Sequence, residues 1–289
     1  SLEFRSGDEC FTWLVPKRWN VREGYLAHVD GTRVVDFHEN PLHLWTNSVS
    51  VDTDISRGDL EAHLHFDSSQ PEWVPYHYRN GYRYDVEEWG FSLSYNDYKR
   101  LNDDRYRVHI DADLDNNGTM KVIDCWLQGE YTETVLIAAH TCHPAQVTDG
   151  MSNVAVATEL FKRLKVKPSL RYSYRLVLGP EYFAAAGFLS TIPESEISSL
   201  NAGIFLDMLG NNERLGYQSS FQGDSLLDRI VKNIFNHHVE NHITRPYRGL
   251  WGNDETFYNG PGFLIPTMGI GGGHHPEYHF DKDNLDMVN

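Results

Sequence analysis

The segment VLIAAHTCHPAQVTDGMSNVAVATEL, residues 135–160, constrains the fold of this chain more than any other. It begins with a short continuous apolar run, which is typical of a strand buried on both faces, and it ends with apolar residues at helical spacing. The turn between them carries His140, Cys142, His143 and Asp149, which are residue types that bind metal ions. The segment therefore predicts a buried strand, a turn rich in metal-binding side chains, and a helix.

The same alternation continues towards the C-terminus. YSYRLVL, AGIFLDMLG and GFLIPTMGI are predicted strands, and EYFAAAGFLSTI and SLLDRIVKNIFNHHV are the predicted helices between them. Strands that alternate with helices favour an α/β fold with a largely parallel sheet. We expect a three-layer α/β/α sandwich with a mixed, largely parallel sheet.

An inserted β-rich module of residues 13–90 is expected beside this sandwich, which would then be formed by residues 1–12 and 91–289. Residues 11–90 are rich in Trp, Tyr, Val and His, and turn signals such as HVDGTRVVDF and YRNGYRY indicate hairpins. One short helix is predicted near SRGDLEAHLHF, capped by Ser56 or Asp59. YRVHIDADLDNNGTMKVIDCWLQG predicts two strands around the turn DNNG. An embellishment of the main domain is the alternative interpretation.

The composition limits the partners of the chain. Its net charge of -16 opposes binding to nucleic acid and to anionic lipid surfaces, so neither nucleic acid nor membrane is expected as a partner. A mean hydropathy of -0.50, without any run of about 18 apolar residues, excludes a membrane-embedded protein. Three cysteines without a CxxC pair argue against a disulfide framework, and the first residues contain no basic-then-apolar signal segment. We expect a cytoplasmic protein, and a homo-oligomer stays open.

Polar side chains follow the predicted strands at their carboxyl ends. VLIAAH ends in His140, YRLVLGPE in Glu181 and IFLD in Asp207, and open α/β sheets bind ligands at that edge. Asp149 precedes the next helix, and the glycine-rich loop GGGHHPEYHFDKDNLD carries His279. Histidine and carboxylate together are the ligand set of a hydrolytic zinc site. Taken singly, each residue has a structural alternative, such as a hydrogen-bonded core histidine or a helix cap.

Four stretches carry a resemblance to a known family: HTCHPAQVTDGMSN, GPEYFAAAG, PEYHFDKDNL and the N-terminal SGDECFTWLVPKRWNVREGYL. They resemble the bacterial aminopeptidase-like domain family, the polysaccharide-biosynthesis-associated branch of the clan MH zinc aminopeptidase superfamily. The resemblance covers nearly the whole chain. It implies that the α/β domain is a zinc aminopeptidase-like catalytic domain.

The resemblance also implies residue roles. It makes His140 a zinc ligand, Asp149 the carboxylate that bridges two metals in di-zinc relatives, Asp207 and His279 further ligands, and Glu181 the general base. His143 either replaces His140 as the ligand or supports it through a hydrogen bond. Tyr182 or Tyr278 is the candidate donor to the tetrahedral oxyanion. Asp254, Glu255 and Glu277 are candidate substrate-binding acids for a free α-ammonium group.

Two departures from the family pattern matter. Di-zinc members carry a second glutamate directly after the base, but this chain has Tyr182 there. We therefore expect one firmly bound Zn²⁺, with a second metal weak or absent. In DGMSN, Gly150 stands where the pattern has Asn and Asn153 where it has Gly, which alters the bend into the helix without removing a ligand.

The function that the resemblance implies is a zinc-dependent hydrolase of a peptide or small amide substrate. It would be an aminopeptidase that uses a zinc-activated water with Glu181 as general base. One alternative is an amidase or deacetylase that acts on a modified sugar or a specialised metabolite. The other is a non-catalytic binding protein on the same fold.

Overall fold

The computed structural model describes residues 1–78 and 86–288. The strands are β1 Leu2–Arg5, β2 Glu9–Cys10, β3 Trp13–Leu14, β4 Arg18–Ala27, β5 Arg33–Asp36, β6 Val51–Ser56, β7 Leu64–His65, β8 Phe91–Ser92, β9 Arg105–Asp115, β10 Thr119–Leu127, β11 Thr134–Thr141, β12 Ser173–Pro180, β13 Leu200–Asp207, β14 Gly216–Gln218, β15 Ile243–Arg245 and β16 Thr267–Gly271. The α-helices are α1 Arg57–Leu60, α2 Tyr95–Tyr98, α3 Ser152–Lys165, α4 Phe183–Thr191, α5 Glu194–Ser199, α6 Leu226–His238 and α7 Glu255–Tyr258.

The main sheet has the strand order β1-β10-β12-β11-β13-β16-β14-β15 in the described residues. Its centre is parallel, because β11 pairs with β12 and β13, and β13 pairs with β16, all in the same direction. Antiparallel pairings flank this centre, where β10 joins β12 and β14 joins β16. The predicted mixed, largely parallel sheet is confirmed.

Side chains of strand β11 are buried on both faces of the main sheet, which accounts for the helix layer on each face. Leu136 and Ala138 belong to one hydrophobic cluster, and Ile137 and Ala139 belong to another. The first cluster includes residues of α4, and the second includes residues of α3, so the two helices cover opposite faces of the sheet. An apolar run without alternation is what burial on both faces requires.

The smaller sheet is antiparallel throughout, with the order β5-β4-β9-β6. Its core contains Leu26, Leu60, Phe91, Tyr106 and Val108. The hairpin predicted from HVDGTRVVDF is present as β4 and β5, whereas the one predicted from YRNGYRY lies largely outside the described residues.

The boundary of the module differs from the sequence prediction, because the small sheet includes β9, which lies beyond residue 90. The two strands predicted around DNNG both form, but β9 pairs with β4 and β6, while β10 pairs with β1 and β12. The turn at residues 116–118 thus connects the two sheets. Alternating residues specify a strand, but they do not specify its partner.

Local signals account for several other elements. Ser56 caps α1, since its Oγ accepts a hydrogen bond from the Asp59 backbone nitrogen at 3.1 Å. Cys10, Cys125 and Cys142 are all free thiols, as their spacing indicates. Within the described ranges, no helix has both the length and the apolar character needed to cross a bilayer.

Candidate metal and catalytic site

Three polar side chains converge because their strands are neighbours. β11 lies between β12 and β13, and His140 is in register with Gly179 near the end of β12. Asp207 is the last residue of β13, and Glu181 follows β12 directly. The carboxyl ends of parallel strands share one edge of the sheet, and His140 there groups with Asp207 and with Glu181.

The turn before α3 positions Asp149. Residues Val147–Met151 form a π-helical turn, and Asp283 accepts hydrogen bonds from the backbone nitrogens of Thr148 and Asp149 at 2.8 and 3.1 Å. A Cβ on Gly150 would lie 2.1 Å from Gln146 Oε1, so a larger residue here would have to displace the Gln146 side chain. A π-helical turn at this position is typical of functional sites.

Asn153, the other departure from the family pattern, also supports this turn. Its Nδ2 donates to the Asp149 carbonyl at 2.8 Å, and its Oδ1 accepts from the Leu209 backbone nitrogen at 2.9 Å. The side chain therefore ties the turn that carries Asp149 to the residues that follow β13. This departure supports the site and removes no ligand.

Two groups of metal-binding side chains share Asp149. We call His140, Asp149 and Asp207 the first trio, and His143, Asp149 and His279 the second trio. Within each trio, one potential ligand atom per residue lies within 4.8 Å of the others. Imidazole nitrogen and carboxylate oxygen are the donors that zinc prefers, so both donor sets fit this ion.

The two oxygens of Asp149 face different trios. Oδ1 lies 3.8 Å from His140 Nε2, whereas Oδ2 lies 2.9 Å from His143 Nε2 and 3.6 Å from His279 Nε2. The first trio is completed by Asp207 Oδ1, which is 3.5 Å from His140 Nε2. His140 and His143 therefore both lie at the site, on different oxygens of one carboxylate.

Burial sets the electrostatics of the trios. It raises the pKa of Asp207, which lies at the bottom of the site, to about 6. Burial opposes ionisation of Asp149 as well, but the hydrogen bond with His143 and the charge of nearby histidines outweigh it, and the pKa of Asp149 lies below its usual value. Burial lowers the pKa of His279 to about 4, so at neutral pH this imidazole is uncharged and can act as a ligand.

His140, His143, Asp149 and His279 of the trios line a cavity of about 290 Å³. It is lined by Pro16, Thr46, Asn47, Tyr76, Tyr78, His140, Cys142, His143, Asp149, Pro180, Glu181, Tyr182, Phe183, Tyr278 and His279. Cys142 Sγ lies 3.3 Å from Glu181 Oε2, and both group with His140. The Cys142 thiol donates to this Glu181 oxygen, and Cys142 is exposed to the cavity.

Glu181 is presented by a strained turn. Tyr182 has φ 60° and ψ -46°, and the Phe183 nitrogen donates to the Glu181 carbonyl at 2.7 Å, which defines a γ-turn with positive φ. Asp254 accepts the Tyr182 N–H at 2.5 Å, and the Tyr182 hydroxyl donates to the Gly252 carbonyl at 2.5 Å. Residues 252–254 thus hold the turn in a conformation that a non-glycine residue rarely adopts.

The predicted substrate-binding acids lie away from the cavity lining. Asp254 and Glu255 are 1% and 0% exposed, and Gln218 Nε2 donates to Glu255 at 2.9 Å. Glu277 lies 3.3 Å from His275 Nδ1. The sequence places Asp254 and Glu255 where relatives have a site-lining segment, and Glu277 beside the last ligand. In the structure Asp254 and Glu255 are buried among protein donors, and Glu277 lies beside His275.

The two candidate oxyanion donors differ in position. The Tyr182 hydroxyl already donates to Gly252. Tyr278 lines the cavity, and its ring stacks on His279 with centroids 3.8 Å apart. Only Tyr278 therefore keeps a geometry that suits the predicted role.

The sequence did not predict the cavity-lining residues that the smaller module contributes. Thr46, Asn47, Tyr76 and Tyr78 line the cavity, and the Tyr76 ring stacks on His143 with centroids 4.1 Å apart. These residues belong to no metal-binding motif. The density of aromatic residues in this part of the chain was the available signal, and it does not say which ring reaches the site.

Comparison with known proteins agrees with this architecture. Residues 1–289 match the family described as Domain of unknown function (DUF4910). A Clostridium acetobutylicum protein, described as a candidate polysaccharide biosynthesis protein with an aminopeptidase-like domain, is 32% identical over 99% of this chain and 65% of its own length. The chain therefore spans less than two thirds of the length of that relative.

Two crystal structures are similar. One is a candidate peptidase from Clostridium acetobutylicum, with a TM-score of 0.90 and 30% identity over 100% of this chain and 67% of that one. The other is BSAP, a zinc aminopeptidase from Bacillus subtilis, with a TM-score of 0.70 and 14% identity over 99% and 79% of the two chains, a similarity of fold.

Fold and site together define an aminopeptidase-like α/β protein with His/Asp groups suited to a metal ion. The chain belongs to the DUF4910 family. The resemblance to the aminopeptidase-like domain family identified from the sequence motifs is confirmed, and the fold is similar to that of a zinc aminopeptidase.

Proposed function

We propose that this protein is a zinc-dependent hydrolase of a peptide or small amide bond, with an aminopeptidase as the first candidate. The observation that carries the proposal is that His140 and Asp149 of the first trio line one cavity of about 290 Å³ together with Glu181, with Asp207 buried beside them. A binding protein without catalysis would not need a carboxylate beside such a donor set. Relatives described as a candidate peptidase and a zinc aminopeptidase support the same class.

The first trio would hold the zinc ion. When bound, Zn²⁺ supplies Lewis acidity that polarises a carbonyl group and makes a water molecule more acidic. The buried carboxylates of Asp149 and Asp207 would offset the charge of the ion, and the γ-turn fixes Glu181 at the cavity wall.

Glu181 is the proposed general base. Its carboxylate accepts a proton from the attacking water and then donates this proton to the nitrogen of the departing amine. Tyr278 is the proposed donor to the oxygen that becomes negatively charged, since its ring lines the cavity beside His279. Both steps require the side chains to face the same scissile bond.

Glu181→Gln tests the mechanism, because glutamine keeps the shape and cannot accept the proton. Hydrolysis should fall about 100-fold or more, with zinc content unchanged by elemental analysis. Glu240→Gln, at an exposed position, is the matched control and should retain full activity. Unchanged hydrolysis by Glu181→Gln would refute the proposal. So would wild-type protein that binds no zinc after reconstitution with Zn²⁺.

An amidase on an acylated substrate is the second candidate. The position of Asp254, Glu255 and Glu277 off the cavity lining favours it, since an aminopeptidase needs an acceptor for the free α-ammonium group. Paired substrates separate the two candidates: an aminoacyl anilide and its N-acetyl form. Faster cleavage of the free amine supports the aminopeptidase, and faster cleavage of the acetylated form supports the amidase.

A further inference from the structure

A second cavity, of about 250 Å³, lies at the edge of the main sheet between β14, β15 and α6. Tyr217, Asp228, Lys232, Thr244 and Arg245 are among the residues that line it, and we call it the edge cavity. Among the described residues, it shares no lining residue with the cavity at the trios. A ligand bound here would therefore not occupy the proposed active site.

The register of the last strands brings the walls of the edge cavity together. Tyr217 of β14 is in register with Thr244 of β15, so both side chains project from the same face of the sheet. Tyr217 also packs in one hydrophobic cluster with Val231 of α6, which places this helix over that face. Lys232 on the helix and Arg245 on β15 therefore line the edge cavity from two elements.

Lys232 and Arg245 carry the positive charge of the edge cavity. Within the part of the chain that the structure describes, neither forms an ion pair, and the Arg245 guanidinium donates only to the carbonyl oxygen of Thr244, at 3.0 Å. Arg33 and Arg175, in contrast, each bind two carboxylates. Since the chain has 41 Asp and Glu against 25 Lys and Arg, two cations without a carboxylate partner in one cavity form a surface suited to an anion.

Asp228 is the one carboxylate among the described residues that line the edge cavity, and its oxygens are already occupied. Oδ1 accepts from the Ser220 nitrogen at 2.8 Å, and Oδ2 accepts from the Ser225 nitrogen at 2.9 Å and from the hydroxyls of both serines at 2.6 Å. These contacts include the capping box of α6. Asp228 is only 4% exposed, so it offers little to Lys232 or to a ligand, and the two cations outweigh it.

Tyr217 provides a second and independent observation. The residue is 3% exposed, and its ring packs edge-on against Phe235 with centroids 4.9 Å apart. Its hydroxyl has no hydrogen-bond partner among the described residues, and it is not one of their fully enclosed polar atoms, so it opens to the edge cavity. The hydroxyl of a buried tyrosine usually has a partner. An acceptor atom inside the edge cavity would supply it.

We infer that the edge cavity binds a phosphate group, with Lys232, Arg245 and the Tyr217 hydroxyl as donors. Guanidinium and ammonium groups are the usual partners of phosphate in proteins, and a phosphate oxygen supplies the acceptor that the tyrosine lacks. The donors come from three different elements, which suits a tetrahedral anion better than a planar carboxylate. Free phosphate and the phosphoryl group of a small molecule share this chemistry. The site is independent of the proposed hydrolysis.

The experiment measures phosphate binding by calorimetry, with inorganic phosphate and methyl phosphate as the two probes. Ionic strength is held constant, because exposed cations also attract anions without a defined site. The wild type should bind in a saturable way. Tyr217→Phe keeps the ring and removes only the hydroxyl, and it should weaken binding about 10-fold. Lys232→Gln and Arg245→Gln should each weaken it at least about 10-fold.

Lys165→Gln is the matched control, because it removes the same charge from an exposed position at the end of α3. It should bind like the wild type. Tighter binding of methyl phosphate would identify the phosphoryl group of a larger molecule as the occupant, and tighter binding of inorganic phosphate would identify the free ion.

Two outcomes would overturn the inference. One is a wild type that binds neither probe. The other is equal binding by the wild type and the Tyr217, Lys232 and Arg245 variants, which is also the result expected if phosphate binds only at the proposed zinc site. Neither outcome would affect the proposed hydrolase, since that proposal depends on the cavity at the trios.

Discussion

Tyr182 links backbone strain to the proposed chemistry. Its φ of 60° and ψ of -46° place a bulky residue in a region that typically costs about 1–3 kcal/mol, and Asp254 and Gly252 provide the hydrogen bonds that hold it there. The turn directs Glu181 into the cavity. Asp254 is thus a positioning residue, because its hydrogen bond holds the turn that presents the proposed base Glu181.

Asp254→Ala removes the acceptor of the Tyr182 N–H and should release the turn. We expect kcat to fall at least about 10-fold, with KM and zinc content changed little, because a small misplacement of a catalytic group is costly. Asp254→Asn keeps an acceptor oxygen and should retain most of the activity. Steady-state kinetics on both variants provides the measurement, and equal loss in both would contradict a positioning role through this hydrogen bond.

Glu255 makes stability depend on pH. Burial raises its pKa to about 8, from about 4.5 in an unfolded chain, so the folded state holds a proton that the unfolded state has lost between these values. The contribution of Glu255 to the free energy of unfolding is fully present below about pH 4.5 and is lost as the pH rises to about 8.

Glu255→Gln should flatten that dependence, because glutamine resembles the protonated acid at every pH. Thermal unfolding measured between pH 5 and pH 9 should show a smaller decline for the variant than for the wild type. Glu240→Gln, on the surface, should follow the wild type. A parallel decline in Glu255→Gln and the wild type would refute the assignment.

At the scale of elements, a backbone ladder joins the smaller module to the last ligand loop. The Tyr76 nitrogen donates to the His279 carbonyl, the Asp281 nitrogen donates to the Val74 carbonyl at 3.0 Å, and the Val74 nitrogen donates to Asp281 Oδ1 at 3.0 Å. His279 is therefore held by residues some 200 positions away in sequence.

Asp281→Ala removes one bond of this ladder and should loosen the loop that carries His279. We expect zinc affinity to fall about 10-fold or more, the usual effect of losing a group that orients a metal ligand. Lys282→Ala breaks only the ion pair between Lys282 and Asp281, so it should bind zinc like the wild type. Competition with a chromophoric chelator measures both, and equal affinities in both variants and the wild type would refute the ladder's role.

The sequence predicted what local patterns determine. The apolar run of β11 and the helical spacing of α3 identify a strand and a helix, and the shared edge of parallel strands then brings His140, Glu181 and Asp207 together. The pairing of β9 with β4 and β6 and the contact of Tyr76 with His143 depend on residues distant in sequence. No local pattern encodes such contacts. Burial of Asp254 depends in the same way on a contact with a turn 72 positions earlier.

At the scale of the whole molecule, the main sheet and the smaller sheet have separate hydrophobic clusters. Phe188 of α4 is fully buried in the cluster of the main sheet, and its ring also lies 4.6 Å from the Arg175 guanidinium. Both sheets must be folded for the cavity to have all its walls. Core residues of the main sheet thus support the site without touching it.

Phe188→Ala should lower the free energy of unfolding by about 3–5 kcal/mol, the range for removing a buried ring. Val156→Ala, at an exposed position of α3, should change it by less than about 0.5 kcal/mol. Urea denaturation followed by circular dichroism gives both values. Similar losses for the two variants would contradict the placement of Phe188.

The cavity has two sources: the donors of the trios come from the main sheet and its loops, whereas Thr46, Asn47, Tyr76 and Tyr78 come from the smaller module. Chemistry and selectivity are therefore encoded in different stretches of the gene. Substitutions at the wall residues should change which molecules the cavity accepts while the proposed chemistry stays the same. A laboratory that wishes to retarget this scaffold would randomise Thr46, Asn47 and Tyr78 first, because Tyr76 also stacks on His143.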